Sequence, residues 1–217
     1  MVNNKQRKTM NKVSRALNGT RGPVPKSRIG YMTEAGAQVT SRFISGINST
    51  GAAAQDTETF PLQPTAFAVA NDAGGQVLRN YQEYTVQRAT MHYTPAVGTT
   101  TAGIVHMGYY DNPELILKLQ DATYTEAERL ALAKSSPISI KGPVWLAMEL
   151  PGSMSKRRAR YASNSTFPST RSEVDLEVHG IWVCATEGVP FSTAYGQFHI
   201  EYTATGYHLE NNAVAAV

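Results

Sequence analysis

Apolar residues fall at two-residue steps through most of this chain, in runs that are short and closed by turn residues. Val39, Phe43 and Ile47 share one face of such a period across residues 37–47. That pattern predicts a strand, because successive strand side chains point to opposite faces. A second short strand is expected over 57–62, and the proline within it, Pro61, assigns it to a sheet edge. The longest candidate spans 84–94 and stops at Pro95. After the turn at 97–101, residues 102–110 read as its antiparallel partner, ending at Asp111-Asn112-Pro113. Strands resume at 137–141 and 144–149. Two long ones follow, 173–186 with Val174, Leu176 and Val178 in alternation, and 196–208 with Phe198, Ile200 and Tyr202.

One stretch is strongly helical. Residues 125–134 have Thr123 or Thr125 as a cap, acids in the first turn and Lys134 in the last. The Asn71-Asp72-Ala73-Gly74-Gly75 segment is a loop signal, with room for a turn of helix after it before Tyr81. An almost all-β domain with eight strand candidates is a two-sheet sandwich or a barrel. No internal repeat is visible, which argues against a propeller or solenoid.

Composition supports this picture. Eleven Tyr, seventeen Gly and eleven Pro suit strands joined by turns, and 217 residues at 41% hydrophobic can bury one core but hardly two.

Charge divides the chain. Lys5, Arg7, Lys8, Lys12, Arg15, Arg21, Lys26 and Arg28 all precede the first carboxylate, Glu34. Removing those eight leaves twelve Lys and Arg against seventeen Asp and Glu, so the net +3 conceals a cationic leader on an acidic body. A run of like charge with few large apolar side chains cannot offset its ordering entropy. The expectation is a largely disordered arm over residues 1–36, partly ordered in its last part through Gly30, Tyr31 and Gly36, whose counterion is a polyanion such as nucleic acid. The flexible solubilising tail is the plainer alternative. A second basic cluster, Lys156, Arg157, Arg158 and Arg160, sits in a Ser- and Pro-rich loop. It either extends the phosphate contacts, pairs with acids of a neighbouring copy, or is simply solvated.

Other chemistry is thin. Cys184 is the only cysteine, which excludes an intrachain disulfide and a Cys-based zinc knuckle, and its apolar neighbours describe an inert thiol. His92, His106, His179, His199 and His208 all lie in strand patterns without a His-x-His or His-x-x-x-His pair, so they read as satisfied or surface histidines. No nucleophile elbow, P-loop or dinucleotide fingerprint occurs, and a non-enzymatic protein with no cofactor and no small-molecule substrate is expected. The N-terminus lacks the apolar core of a secretory signal, and no stretch approaches the roughly eighteen apolar residues of a membrane span. Two prolines and two glycines in residues 19–26 count against a mitochondrial presequence.

The order of features from Tyr81 to Asn112 carries a resemblance. Tyr81 and Tyr84 precede Met91-His92-Tyr93-Thr94-Pro95, then a Thr-rich turn, then Thr101-Ala102-Gly103-Ile104-Val105-His106-Met107-Gly108, closing on Tyr110-Asp111; Ala194 to Tyr202 looks like a last strand. This resembles the shell domain of coat proteins from small icosahedral RNA plant viruses of the tombusvirus and sobemovirus type. The resemblance implies an eight-stranded single jelly roll over 37–210, a disordered RNA-binding arm before it and a short tail at 211–217. The projecting domain of tombusviruses is expected to be absent, which suits a satellite, sobemo-like or ourmiavirus coat protein. It further implies a homo-oligomeric shell around single-stranded RNA, found in the virion and made in the host cytoplasm, with no membrane partner. Related shells carry carboxylates that bind Ca²⁺ between subunits near the end of the fifth strand, which makes Asp111 and Glu114 candidates. A plain Asx turn is the competing reading there. A monomeric host RNA-binding β module and the coat of a small single-stranded DNA virus are the alternatives.

Overall fold

The computed structural model describes residues 36–51, 55–63, 72–154, 158–160 and 168–209. The basic arm through residue 35, Lys156, Arg157 and the tail from residue 210 lie outside them.

Nine strands are described: β1 (Gln38–Ser49), β2 (Thr57–Pro61), β3 (Tyr81–Pro95), β4 (Ile104–Tyr110), β5 (Ile138–Pro143), β6 (Met148–Pro151), the two-residue β7 (Ala159–Arg160), β8 (Ile181–Glu187) and β9 (Ala194–Leu209). They form two antiparallel sheets. The first runs β1-β9-β3-β6 with β7 also on β3, and the second runs β2-β8-β4-β5. Apart from the short β7, eight strands wind between two facing sheets as a jelly roll does. β2 is an edge strand, which is where Pro61 is tolerated.

Pairing corrects one expectation. β4 does not pair with β3: β3 pairs with β9, β6 and β7, whereas β4 pairs with β5 and β8. The connection between β3 and β4 carries the chain from one sheet to the other, and adjacency in sequence cannot distinguish that crossing from a hairpin.

Helices supply the second correction. Besides α1 (Ala73–Leu78), the chain forms α2 (Pro113–Gln120), α3 (Glu126–Ser135) and α4 (Arg171–Glu177). The expected helix is α3, and its cap is Thr125, in a capping box with Glu128. The start of the 173–186 strand is instead α4, because Thr170 and Glu173 form a second capping box. Val174 is buried there while Leu176 is 55% exposed, so the alternation was a short coincidence of two periods. α2 starts where a strand-end turn was expected: Asn112 Oδ1 accepts the Glu114 N–H at 2.9 Å, and Pro113 opens the first turn.

The core between the sheets is aromatic. Trp182, Tyr84, Tyr93, Tyr109, Tyr195, Tyr202 and Phe198 are all buried. Buried phenols need partners. Tyr93 donates to the Val144 carbonyl at 2.6 Å and Tyr195 to Asp56 at 2.8 Å. A second apolar cluster, including Ile116, Leu119, Leu130, Val174 and Val183, packs α2, α3 and α4 onto the far side of the second sheet. The outward side of the first sheet presents polar side chains such as Arg42, Arg88 and Glu201.

Candidate functional site

The described chain begins where the arm ends, and that junction is tightly fixed. Gly36 has φ +99°, and a Cβ there would fall 1.5 Å from the Gly206 carbonyl oxygen. Only glycine suits both the left-handed backbone and the close approach. One residue on, the Ala37 carbonyl accepts the Gly206 N–H at 2.9 Å, so the root of the arm is bonded to β9.

From Gly206 the register continues across the sheet. Gly206 lies opposite Tyr84 on β3, and Tyr84 lies opposite Ala159 on β7. The root of the arm and the described part of the second basic cluster therefore occupy one end of one sheet. Arg160 pairs with Glu83 in that ladder. Arg158 stands 4.2 Å from the centre of the Tyr207 ring, with its guanidinium 3.5 Å from the Glu83 carboxylate. His208 approaches the same carboxylate at 3.7 Å. Both arginines are exposed. Of the three readings of this cluster, Arg158 adds a fourth feature: a partner, Glu83, within its own chain. Lys5, Arg7, Lys8, Lys12, Arg15, Arg21, Lys26 and Arg28, with Lys156 and Arg157, fall outside the described residues.

Asp111 and Glu114 stand at the start of α2, both exposed. Glu114 accepts from Arg171 of α4 at 2.7 Å. Ca²⁺ takes six to eight oxygens. Two carboxylates, one already facing a guanidinium, do not supply that shell, and among the described residues the one group of three candidate ligand side chains lies elsewhere. This chain by itself does not fit a calcium site here.

Cys184 is 1% exposed, and burial pushes its thiol well above the ordinary range, so a thiolate nucleophile is disfavoured. His179 lies between α4 and β8 rather than in a strand, buried edge-on to Tyr84 at 5.1 Å. One association of histidines has no signal in the sequence. The β3–β9 register sets His92 directly opposite His199, 107 positions along the chain, and no local spacing signals such a pair.

The architecture has known counterparts. A family model described as viral coat protein (S domain) matches residues 9–206. A search of curated protein sequences gives no match. Among solved structures, tobacco necrosis virus superposes with a TM-score of 0.68 at 17% identity, covering 92% of this chain and 98% of that one. Cocksfoot mottle virus gives 0.62 at 15% identity, covering 82% and 97%. Melon necrotic spot virus gives 0.67 at 16% identity over 88% of this chain, which spans only 55% of that longer one. Identities this low establish the fold, and the family rests on the match over most of the sequence. With its β1-β9-β3-β6 and β2-β8-β4-β5 sheets and a family match reaching from the basic leader to the last strand, the chain belongs to the viral coat protein (S domain) family.

Proposed function

We propose that this chain assembles in many copies into a closed shell and packages single-stranded RNA through its basic leader. Family membership supports the shell. The observation that carries the RNA half is convergence: the root of the arm at Gly36 and the exposed Arg158 and Arg160 share one end of the first sheet. The eight cations of the leader and the arginines of this edge together supply positive charge that neutralises phosphates without bases being read. Copies of one chain close into a shell only through repeated symmetric contacts, which multiply these charges on whichever surface the arms share. The protein acts as a structural component of the virion and is made in the host cytoplasm. No described helix is long and apolar enough to cross a membrane.

Expression of the full chain, followed by size-exclusion chromatography and electron microscopy, tests the shell: uniform closed particles are expected, and a persistent monomer overturns the reading. Deleting residues 1–28 tests the arm. The circular dichroism of the sandwich should persist while nuclease-protected RNA disappears; truncated particles that still package RNA normally would refute the arm's role.

A further inference from the structure

The outward side of the first sheet carries a cluster to which the proposed function assigns no role. One row across the four strands reads Ile44, His199, His92, Glu149, and the next begins Arg42, Glu201, Thr90. The His92 and His199 rings stack with centroids 4.6 Å apart and planes 5° from parallel. One donor atom from each of His92, His199 and Glu201 lies within 4.8 Å of the other two, all half-buried.

The orientation of His92 carries the argument. Its Nδ1 faces Glu149 at 3.5 Å and its Nε2 faces Glu201 Oε2 at 3.8 Å. Nε2 is enclosed by protein, yet it has no hydrogen-bond partner among the described residues. A carboxylate thus faces each ring nitrogen of His92, and in the tautomer that carries its proton on Nδ1, toward Glu149, the Nε2 lone pair is aimed at Glu201. In that tautomer two electron pairs face each other across less than 4 Å, and a proton or a metal cation between them relieves the repulsion. Arg42 does not fill that place, because it pairs with the other oxygen of Glu201, Oε1. With neutral imidazoles, Glu149 and Glu201 set two negative charges against the one positive charge of Arg42, so the cluster has net attraction for a cation.

We propose that His92, His199 and Glu201 form a binding site for a divalent transition-metal ion of the Zn²⁺ class, with Glu149 as the positioning residue that orients His92. Two imidazoles and one carboxylate are a zinc ligand set that leaves a fourth position open to water or to a donor from outside the chain. Bonds of about 2.0–2.1 Å require donor atoms roughly 3.3 Å apart, so the two rings tilt out of their stack and Glu201 swings inward while Arg42 stays on Oε1. The ion would clasp β3 to β9 on the surface of the first sheet.

Isothermal titration of the full-length protein with ZnCl₂ at neutral pH tests this. Saturable binding of one ion per chain is expected. His92→Ala and His199→Ala should each abolish it, and Glu149→Gln should weaken it by about 10- to 100-fold. His106→Ala and His208→Ala, which alter histidines outside the cluster, should leave it intact. Co²⁺ substitution should give the intense visible bands of a tetrahedral centre, lost in the same variants. Thermal unfolding with and without ZnCl₂ guards against misfolding: wild type is stabilised by the metal, whereas His92→Ala melts as a folded protein without that gain. Absence of saturable binding below about 1 mM, or unchanged binding in both His92→Ala and His199→Ala, would overturn the site.

Discussion

His106 shows how one side chain can make this fold sensitive to acid. It points outward from β4 and is 5% exposed, with Nε2 3.3 Å from Glu187, which also binds Lys134 at 2.8 Å. Burial is the largest influence and holds its pKa below the ordinary histidine value; Lys134 and Lys141 push the same way, and Glu187 opposes them. A depressed value means that the unfolded chain binds the proton more readily than the folded one. The contribution of His106 is therefore fully present above about pH 6.5 and is lost as the pH falls through the lower folded value. His106→Gln should flatten that loss: urea midpoints measured from pH 7 to pH 5 should fall less steeply in the variant than in wild type. An equal slope in both proteins would assign the acid sensitivity to other groups. Sequence placed His106 correctly in a strand. Its partner Glu187, 81 positions away, became visible only through the β4–β8 register.

α1 is held by one buried carboxylate. Six residues with two consecutive glycines make a poor helix, since each glycine costs about 1 kcal/mol against alanine. Asp72 compensates by capping it: Oδ2 accepts the Gly75 N–H at 2.7 Å, Oδ1 accepts the Ser41 hydroxyl at 2.7 Å, and Tyr202 donates its phenol to the same carboxylate. Gly74 is required by packing as well, because a Cβ there would fall 2.4 Å from the Ser41 Cβ. Asp72→Ala removes an acceptor shared by α1, β1 and β9 and should destabilise the domain by about 2–4 kcal/mol in urea unfolding, with Asp72→Asn costing less. This segment explains what the sequence could reveal. Asn71-Asp72 followed by two glycines has the local signature of a loop, and long-range bonds to Ser41 and Tyr202 make it a helix. α3 was legible because its cap, acids and terminal lysine are all local. α4 was not, because Val174, Leu176 and Val178 alternate at a strand period while Val174 and Val178 also stand one helical turn apart, and the capping box at Thr170 decides between them.

The whole molecule sets a mildly acidic sandwich behind a cationic leader, and the strand ladder brings Arg158 and Arg160 to the place where that leader joins. A two-sheet sandwich or barrel was legible in eight strand candidates and the jelly roll in the family resemblance, but this convergence depends on β9 running between β1 and β3, which no local pattern encodes. If the edge extends the phosphate zone, its arginines must contribute to the salt dependence of RNA binding. Each phosphate contact adds about 0.7 to the slope of log affinity against log salt on a single strand. Arg160→Ala should then lower the slope by about 0.7, and the double change with Arg158→Ala by about 0.7 to 1.4. The smaller end applies because Glu83, 3.5 Å from Arg158, already neutralises part of its charge. By the same logic Glu83→Gln should release Arg158 and strengthen binding. Fluorescence anisotropy with short labelled single-stranded RNAs over a range of NaCl concentrations measures all of these, and the shifts should be the same for unrelated sequences, since phosphates and not bases are being met. A slope untouched by both arginine changes would confine RNA binding to the leader and leave the sheet edge for contacts between copies.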